Sequence, residues 1–165
     1  MVGAIDRAAQ RLAERGRRST PFDRLMYLMS VAGDDGRVWF AAIALETWRS
    51  DDPAHVAIRA LLALGVESAL VNGPLKSATK RDRPDRPEGL RDTRIPHNSS
   101  FPSGHAASSA TMATVLSAGS PLAPLWWTLA AGIAWSRVHV GVHHASDVLG
   151  GMAVGGAVGA IARQM

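Results

Sequence analysis

Residues 54–75, AHVAIRALLALGVESALVNGPL, form an apolar stretch that is long enough to cross a membrane. A membrane-spanning helix needs about 20 mostly apolar residues. Polar side chains that interrupt this stretch include Arg59, Glu67 and Asn72. In a spanning helix such groups face the protein interior, because lipid offers them no hydrogen-bond partner. The stretch therefore predicts a membrane helix, inside which Arg59 and Glu67 could form a pair.

Other apolar segments extend this helix into a bundle. Further helices are predicted over residues 104–119, 122–140 and 148–162. Two other apolar segments are short for a complete crossing, residues 25–32 and 38–47. The last helix carries a stripe of small residues, four apart, that allows close helix packing: Gly151, Gly155 and Gly159. We predict an all-α transmembrane bundle with four to six membrane helices, as a single domain over residues 1–165. A soluble apolar bundle is the alternative, because the mean hydropathy is only +0.02.

The charge of the chain is basic and concentrated in blocks. The net charge of +4 and the pI of about 10.6 suit anionic partners. Residues 1–20 predict a basic amphipathic helix, which either lies on an anionic membrane surface or is simply solvated. We expect no signal peptide, because no short apolar core with a cleavage site is found at the start. Residues 76–101 are basic, polar and proline-rich, so we expect a loop there. We also expect no nucleic-acid partner, since this loop has a single aromatic residue, Phe101.

Three polar clusters lie at predicted helix ends and contain the candidate site residues. In chain order they are Lys76 and Arg83, then Ser103, Gly104 and His105, then Arg137, His143 and Asp147. In an up-and-down bundle, the turns that carry these clusters lie on the same side. We therefore expect the three clusters to meet at one membrane face.

The residue types in these clusters suit phosphate chemistry. Lysine and arginine provide cations and donors that fit phosphate oxygens. The sequence SGH at a helix start offers free backbone N–H groups and the positive end of the helix dipole. For the stretch HVGVHHASD, residues 139–147, three interpretations compete: a metal site of His139, His143 and Asp147, a set of structural histidines, or a catalytic histidine held by a carboxylate. The absence of cysteine excludes disulfides and thiolate metal sites.

The order and spacing of the motifs resemble a known family signature. The motifs are Lys76-x6-Arg83-Pro84, then Pro102-Ser103-Gly104-His105, then Ser136-Arg137-x5-His143-x3-Asp147. They are similar to the three-part signature of the type 2 phosphatidic acid phosphatase superfamily, and they span residues 76–147. The resemblance implies a phosphatase that uses no metal and no cofactor.

The resemblance also implies a role for each motif residue. His143 would attack phosphorus and form a phosphohistidine, and Asp147 would orient it. His105 would protonate the leaving oxygen and then activate water. The residues implied in binding the phosphoryl oxygens are Lys76, Arg83, Ser103, Gly104 and Arg137.

The substrate implied by an apolar bundle beside a phosphate pocket is a lipid-linked phosphate in the cell membrane. Overall likeness to small actinobacterial members favours decaprenylphosphoryl-5-phosphoribose, with prenyl diphosphates, phosphatidic acid and phosphatidylglycerol phosphate as alternatives. A membrane protein that binds anionic lipid without turnover is the alternative of another class, and a homo-oligomer stays open. We expect His139 and His144 to support the site or to be structural. The remaining basic loop residues are expected to be solvated or to contact headgroups, with direct substrate recognition as the alternative: Lys80, Arg81, Arg86, Arg91 and Arg94.

Overall fold

The computed structural model describes residues 2–86, 90–91, 93–95 and 97–165, and within these ranges its regular structure is helical. In chain order the α-helices are α1 (Val2–Arg17), α2 (Thr20–Ala32), α3 (Arg37–Arg49), α4 (Pro53–Leu70), α5 (Lys76–Thr79), α6 (Gly104–Leu116), α7 (Ala123–His139) and α8 (Ala145–Ala162). A 3-10 turn, Asp34–Gly36, joins α2 to α3, and a π-helical turn, Val71–Leu75, joins α4 to α5. The predicted all-α class is confirmed.

Helix α4 continues through the π-helical turn into α5 and forms one long element. It begins where the Asp52 carboxylate accepts the backbone N–H of His55 at 3.1 Å, with Pro53 at the first helical position. Pro74 lies inside the π-helical turn, where its missing N–H disturbs the regular ladder. Because the helix reaches Thr79, the expectation that the loop begins at Lys76 is wrong. Lys76 is instead held on the last helical turn.

Helices α6 and α8 pack closely along the predicted glycine stripe. A Cβ atom at Gly155 would overlap the carbonyl of Ala107, and one at Gly151 would overlap the carbonyl of Ser103. The hydroxyl of Thr111 also donates to the Gly155 carbonyl at 3.0 Å. The stripe therefore brings the start of α6 directly against the start of α8, where the second and third motifs lie.

The outer faces of the bundle are apolar. Two helices in the described part of the chain, Pro53–Thr79 and Ala145–Ala162, are long and apolar enough to cross a membrane. Large apolar side chains on their outer faces and on α3 are more than half exposed: Phe40, Trp48, Ile58, Val66, Leu149 and Ile161. Helices α3 and α6 have 13 residues each and α7 has 17, so they are shorter than a full span. The total of four to six crossings stays a prediction.

The amphipathic helix α1 lies across the ends of α7 and α8. The Arg17 side chain donates from Nε to the carbonyl of His139 at 2.7 Å. The Asp6 carboxylate accepts the backbone N–H of Ser146 at 2.8 Å, at the first turn of α8. These two contacts attach α1 to the same end of the bundle that carries the three motifs.

Candidate active site

The three motifs meet around one cavity of about 930 Å³. It lies between the start of α5, the start of α6 and the junction of α7 with α8. The predicted site residues that line it are Lys76, Gly104, His105, Arg137 and His143. The other three, Arg83, Ser103 and Asp147, contact this wall from behind, as the distances below describe.

His143 is held by the turn that follows α7. The backbone N–H groups of Val142 and His143 both donate to the Arg137 carbonyl, at 3.2 and 3.1 Å. Gly141, at a φ of +74°, has a backbone conformation that side chains other than glycine's rarely allow. This turn directs the imidazole inward, and only 3% of His143 is exposed.

The two ring nitrogens of His143 have different neighbours. Nδ1 lies 3.6 Å from the Asp147 carboxylate, and Nε2 lies 3.3 Å from a guanidinium nitrogen of Arg83. Burial, together with the charges of Arg83 and Arg137, lowers the pKa of His143 to about 4, although Asp147 opposes the shift. The ring is therefore neutral at pH 7, so a lone pair is retained on one nitrogen.

The Asp147 carboxylate is fixed by several donors and is fully buried. One oxygen accepts the backbone N–H of His144 at 2.8 Å and the hydroxyl of Ser100. The other accepts from Arg81 at 2.7 Å. A carboxylate with this many donors cannot rotate freely, which suits a group that orients an imidazole.

Arg81 contradicts the expectation of a solvated basic loop. It bridges two carboxylates, Asp147 on α8 and Asp6 on α1, the latter at 3.0 Å. The loop folds back here, because the Ser100 N–H donates to the Arg81 carbonyl at 2.8 Å. Arg86 also departs from the expectation, since its Nε donates to the Val140 carbonyl at 3.2 Å. Sequence reasoning missed Arg81 and Ser100, although Arg81 lies inside the first motif.

Some buried donors at the cavity end of the bundle have no protein partner in the described part of the chain. Arg137 is 1% exposed and donates to the Ser30 hydroxyl, yet its Nε and Nη2 have no hydrogen-bond partner among the described residues. The buried hydroxyl of Ser103 also has none there. Lys76 is buried too, and its Nζ donates to Asn72 at 3.0 Å. Buried unpaired donors are unfavourable, so their convergence indicates a site for an anion.

The start of α6 adds backbone donors to the same place. Ser103 precedes the helix in an extended conformation, and Gly104 is its first residue. The first-turn N–H groups have no partner within the helix and lie at its positive end. A Cβ atom at Gly104 would lie 3.8 Å from Nζ of Lys76. The glycine therefore leaves open the space beside the lysine that an anion needs.

His105 is paired with a carboxylate that sequence reasoning missed. Its Nε2 lies 2.9 Å from Asp34, in the turn between α2 and α3. The hydrogen bond with His105 holds the pKa of Asp34 below its usual value. Gly33 allows this approach, because a Cβ atom there would lie 2.8 Å from the His105 ring. The sequence GDDGR, residues 33–37, only separates two short apolar segments, so it carried no signal for this contact.

His139, in the third motif region, has contacts that fit a structural role. His139 is fully buried, lies 3.1 Å from Asp23 and packs edge-on against Phe22. The competing metal interpretation gains no support, because the described residues contain no group of three His, Asp or Glu placed to hold a metal ion.

The suggested pair of Arg59 and Glu67 is not what the structure has. Arg59 approaches His55 at 3.5 Å, whereas Glu67 lines the cavity.

Comparison with known proteins agrees with the motifs and the fold. A family model described as the PAP2 superfamily matches residues 56–165. The decaprenylphosphoryl-5-phosphoribose phosphatase of Mycobacterium tuberculosis is 40% identical over 87 residues, covering 53% of this chain and 49% of the relative. The enzyme of that name from Mycolicibacterium smegmatis is 36% identical over 96 residues, covering 56% and 53%. The chain thus spans about half the length of the curated relatives it matches.

Two crystal structures share the architecture. One is a transmembrane PAP2 type phosphatidylglycerolphosphate phosphatase from Bacillus subtilis, with a TM-score of 0.76 and 22% identity, covering 99% of this chain and 85% of the other. The other is Aquifex aeolicus LpxE, with a TM-score of 0.75 and 28% identity, covering 94% and 93%. A fold shared with a transmembrane protein, together with the two candidate spans, indicates that this protein associates with a membrane. The chain belongs to the PAP2 superfamily.

Proposed function

We propose that this protein is a membrane phosphatase that removes a phosphomonoester group from a lipid-linked substrate through a phosphohistidine, without a metal. The observation that carries the proposal is the setting of His143. Its Nδ1 faces Asp147, its Nε2 lies 3.3 Å from Arg83, and its ring borders the cavity in which donors of Arg137 have no protein partner. A neutral nucleophile thus lies beside a site prepared for an anion.

In the first step the lone pair on Nε2 of His143 attacks phosphorus. The P–N bond forms while the bond between phosphorus and the leaving oxygen breaks, and His105 gives that oxygen its proton. Asp147 accepts the Nδ1–H, so it holds the required tautomer and stabilises the positive charge that develops on the ring. Lys76, Arg83 and Arg137 offset the negative charge on the phosphoryl oxygens, which is the main requirement of phosphoryl transfer.

In the second step water hydrolyses the phosphohistidine. His105, now neutral, accepts a proton from the water as the oxygen attacks phosphorus, and the P–N bond breaks. Asp34, 2.9 Å from His105, favours the protonated imidazole that both steps require. The products are inorganic phosphate and the free lipid-linked alcohol.

The cavity suits a substrate with a polar head and an apolar body. Its wall combines the phosphate-binding residues with Phe40 of α3 and with Leu61 and Leu64 of α4. Phe40 and Leu61 are also exposed on the outer face of the bundle, where lipid would lie. Decaprenylphosphoryl-5-phosphoribose is the first candidate, because two mycobacterial relatives carry that activity in their names. The other candidate substrates are prenyl diphosphates, phosphatidic acid and phosphatidylglycerol phosphate.

The proposed location is the plasma membrane, with several crossings. Helix α1 would lie on the membrane surface, because its arginines at positions 7, 11 and 15 are exposed while Ala13 is buried against the bundle. A homo-oligomer stays a prediction.

Phosphate release by detergent-purified protein tests the proposal. The assay contains EDTA and offers the four candidate lipids separately. We expect release from decaprenylphosphoryl-5-phosphoribose and incorporation of radiolabel from its 5-phosphate into wild-type protein but not into His143→Gln. Release that requires added metal would overturn the metal-independent mechanism. No release from any lipid by folded protein would favour an anionic-lipid-binding protein.

A further inference from the structure

Glu67 is a buried carboxyl group that the proposed chemistry does not use. It lies on α4, is only 2% exposed and lines the cavity. Within the described ranges it makes no hydrogen bond and lies in no ion pair within 4 Å. Its carboxyl group faces the cavity, so a molecule bound there can supply its hydrogen-bond partner.

The position of Glu67 separates it from the phosphate. Lys76 follows it by nine residues on the same long helix. At 1.5 Å per residue, their backbones are about 13 Å apart along the axis. Since α4 runs toward the motif end, Glu67 lies deeper in the bundle than Lys76. A phosphate held by Lys76 and Arg137 would therefore leave Glu67 to contact the group that is esterified to it.

A row of neutral polar groups connects the two positions. Asn72 accepts from Lys76 at 3.0 Å and donates to the Ser68 hydroxyl at 3.2 Å. These residues follow one another four apart, so they share a face of the helix, and Ser68 is adjacent to Glu67. This face of the cavity thus offers both donors and acceptors beyond the phosphate.

The space beside Glu67 is open. Gly65 also lines the cavity, and a Cβ atom there would meet no other atom within 4 Å. Beyond it the wall becomes apolar at Leu61 and Leu64. From the phosphate inward, the cavity therefore changes from cationic to neutral polar to apolar.

We propose that Glu67, Ser68 and Asn72 form a subsite for the hydroxyl groups of a sugar or similar polyol that carries the phosphate. A hydroxyl both donates and accepts, which matches this mixed set of side chains. An ammonium group only donates, and it would be repelled by Lys76 and Arg137. The subsite rests on the proposed function in one respect: the position of the bound phosphate is taken from it.

Binding of small phosphates to the full chain tests the subsite. A His143→Gln background prevents turnover, and calorimetry in detergent measures dissociation constants for inorganic phosphate, butyl phosphate, phosphoethanolamine and ribose 5-phosphate. We expect ribose 5-phosphate to bind about tenfold more tightly than butyl phosphate, as one or two hydrogen bonds to a buried carboxyl group would give. Adding Glu67→Leu should remove this preference and leave inorganic phosphate within about twofold.

Two further variants keep the test decisive if Glu67→Leu does not fold. Glu67→Gln retains hydrogen bonding and should keep part of the preference for ribose 5-phosphate. Gly65→Leu should fill the open space and abolish the preference without affecting inorganic phosphate. Gly73→Leu is the matched control, because a Cβ at Gly73 also meets nothing within 4 Å but Gly73 does not line the cavity.

Three results would overturn the subsite. They are an unchanged preference in Glu67→Leu, an equal loss for all four ligands, or tightest binding of phosphoethanolamine. Failure of the proposed function gives a different result. If the hydroxyl preference depends on Glu67 but the protein releases no phosphate from any lipid, the subsite is supported and the phosphatase is refuted. If the protein releases phosphate and Glu67→Leu leaves its selectivity among the lipids unchanged, the phosphatase is supported and the subsite is refuted.

Discussion

Two clusters of buried polar groups, one around Glu46 and one around Arg137, differ in whether their hydrogen-bond partners lie within the protein. At the end far from the cavity, Glu46 is 9% exposed and accepts from Ser120 at 2.6 Å and from Trp126 at 2.7 Å. At the cavity end, two nitrogens of Arg137 and the hydroxyl of Ser103 are buried without a partner among the described residues.

The difference separates stability from function. The Glu46 cluster is complete within the protein, so its hydrogen bonds contribute to folding. The Arg137 cluster is incomplete within the described residues, so it carries an unfavourable free energy that the anion of the proposed function would offset. Variants at the two ends should therefore change different properties.

The largest expected effect comes from His143→Ala. Removal of the nucleophile should lower phosphate release by at least about 10³-fold, because the remaining groups cannot form the phosphohistidine. Phosphate release from the preferred lipid measures the loss. His139→Gln is the matched control, since His139 is buried nearby but does not line the cavity. Substantial activity in His143→Ala would contradict the covalent mechanism.

Arg137→Met tests whether the buried donors at the cavity end serve activity rather than stability. Loss of the unpaired donors should lower kcat/KM by about 10²- to 10³-fold. The midpoint of thermal unfolding should stay the same or rise, because an incompletely paired buried charge is replaced by an apolar chain. Kinetics and a melting curve check both parts, with the exposed Arg163→Met as the control. A strong loss of stability would show that Arg137 is a structural residue.

Asp34→Asn should have a moderate effect that depends on the leaving group. The substitution removes the carboxylate that favours protonated His105, so kcat with a lipid alcohol should fall about tenfold. With p-nitrophenyl phosphate, whose leaving group departs without a proton, the loss should be smaller. Asp35→Asn is the control, because Asp35 pairs with Arg94 at 2.8 Å. Equal losses for both substrates would indicate a purely structural role.

The protonation of His143 gives a further test of the cavity end. Its pKa is lowered to about 4, from an ordinary value of 6.5. In the unfolded chain the ring takes up a proton as the pH falls below 6.5, whereas in the folded protein it stays neutral until about pH 4. Stability should therefore decline across this window as the pH drops. Histidine ring nitrogen shifts, assigned with His143→Gln, should show a midpoint near pH 4, and a midpoint near 6.5 would mean that the ring is solvated.

The smallest effect on activity is expected from Glu46→Leu. The variant leaves the donors of Ser120 and Trp126 without their acceptor, which should lower the free energy of unfolding by about 1–3 kcal/mol. Phosphate release below the unfolding transition should be unchanged, because Glu46 lies at the far end of the bundle. Denaturation in detergent measures the stability, with Glu46→Gln as a variant that keeps an acceptor. A loss of activity without a loss of stability would contradict the separation of the two ends.

What the sequence by itself determined is local. The helices follow from runs of apolar residues and from caps such as Asp52 and Pro53, which depend only on near neighbours. Close packing of the last helix was predicted from Gly151, Gly155 and Gly159, because regular spacing on a helix defines a face, but that its neighbour is α6 was not. The convergence of the three motifs followed from their places at helix ends in an up-and-down bundle.

Only the tertiary structure decided which side chains meet across the helices. Arg81 looked like one solvated cation among several until the loop folded back and brought it to Asp147. Asp34 looked like a turn residue until Gly33 allowed it to approach His105. Glu67 looked like a partner for Arg59, but it faces the cavity. These outcomes depend on the rotation and spacing of whole helices, and thus on contacts between residues far apart in the chain, which no short window of sequence contains.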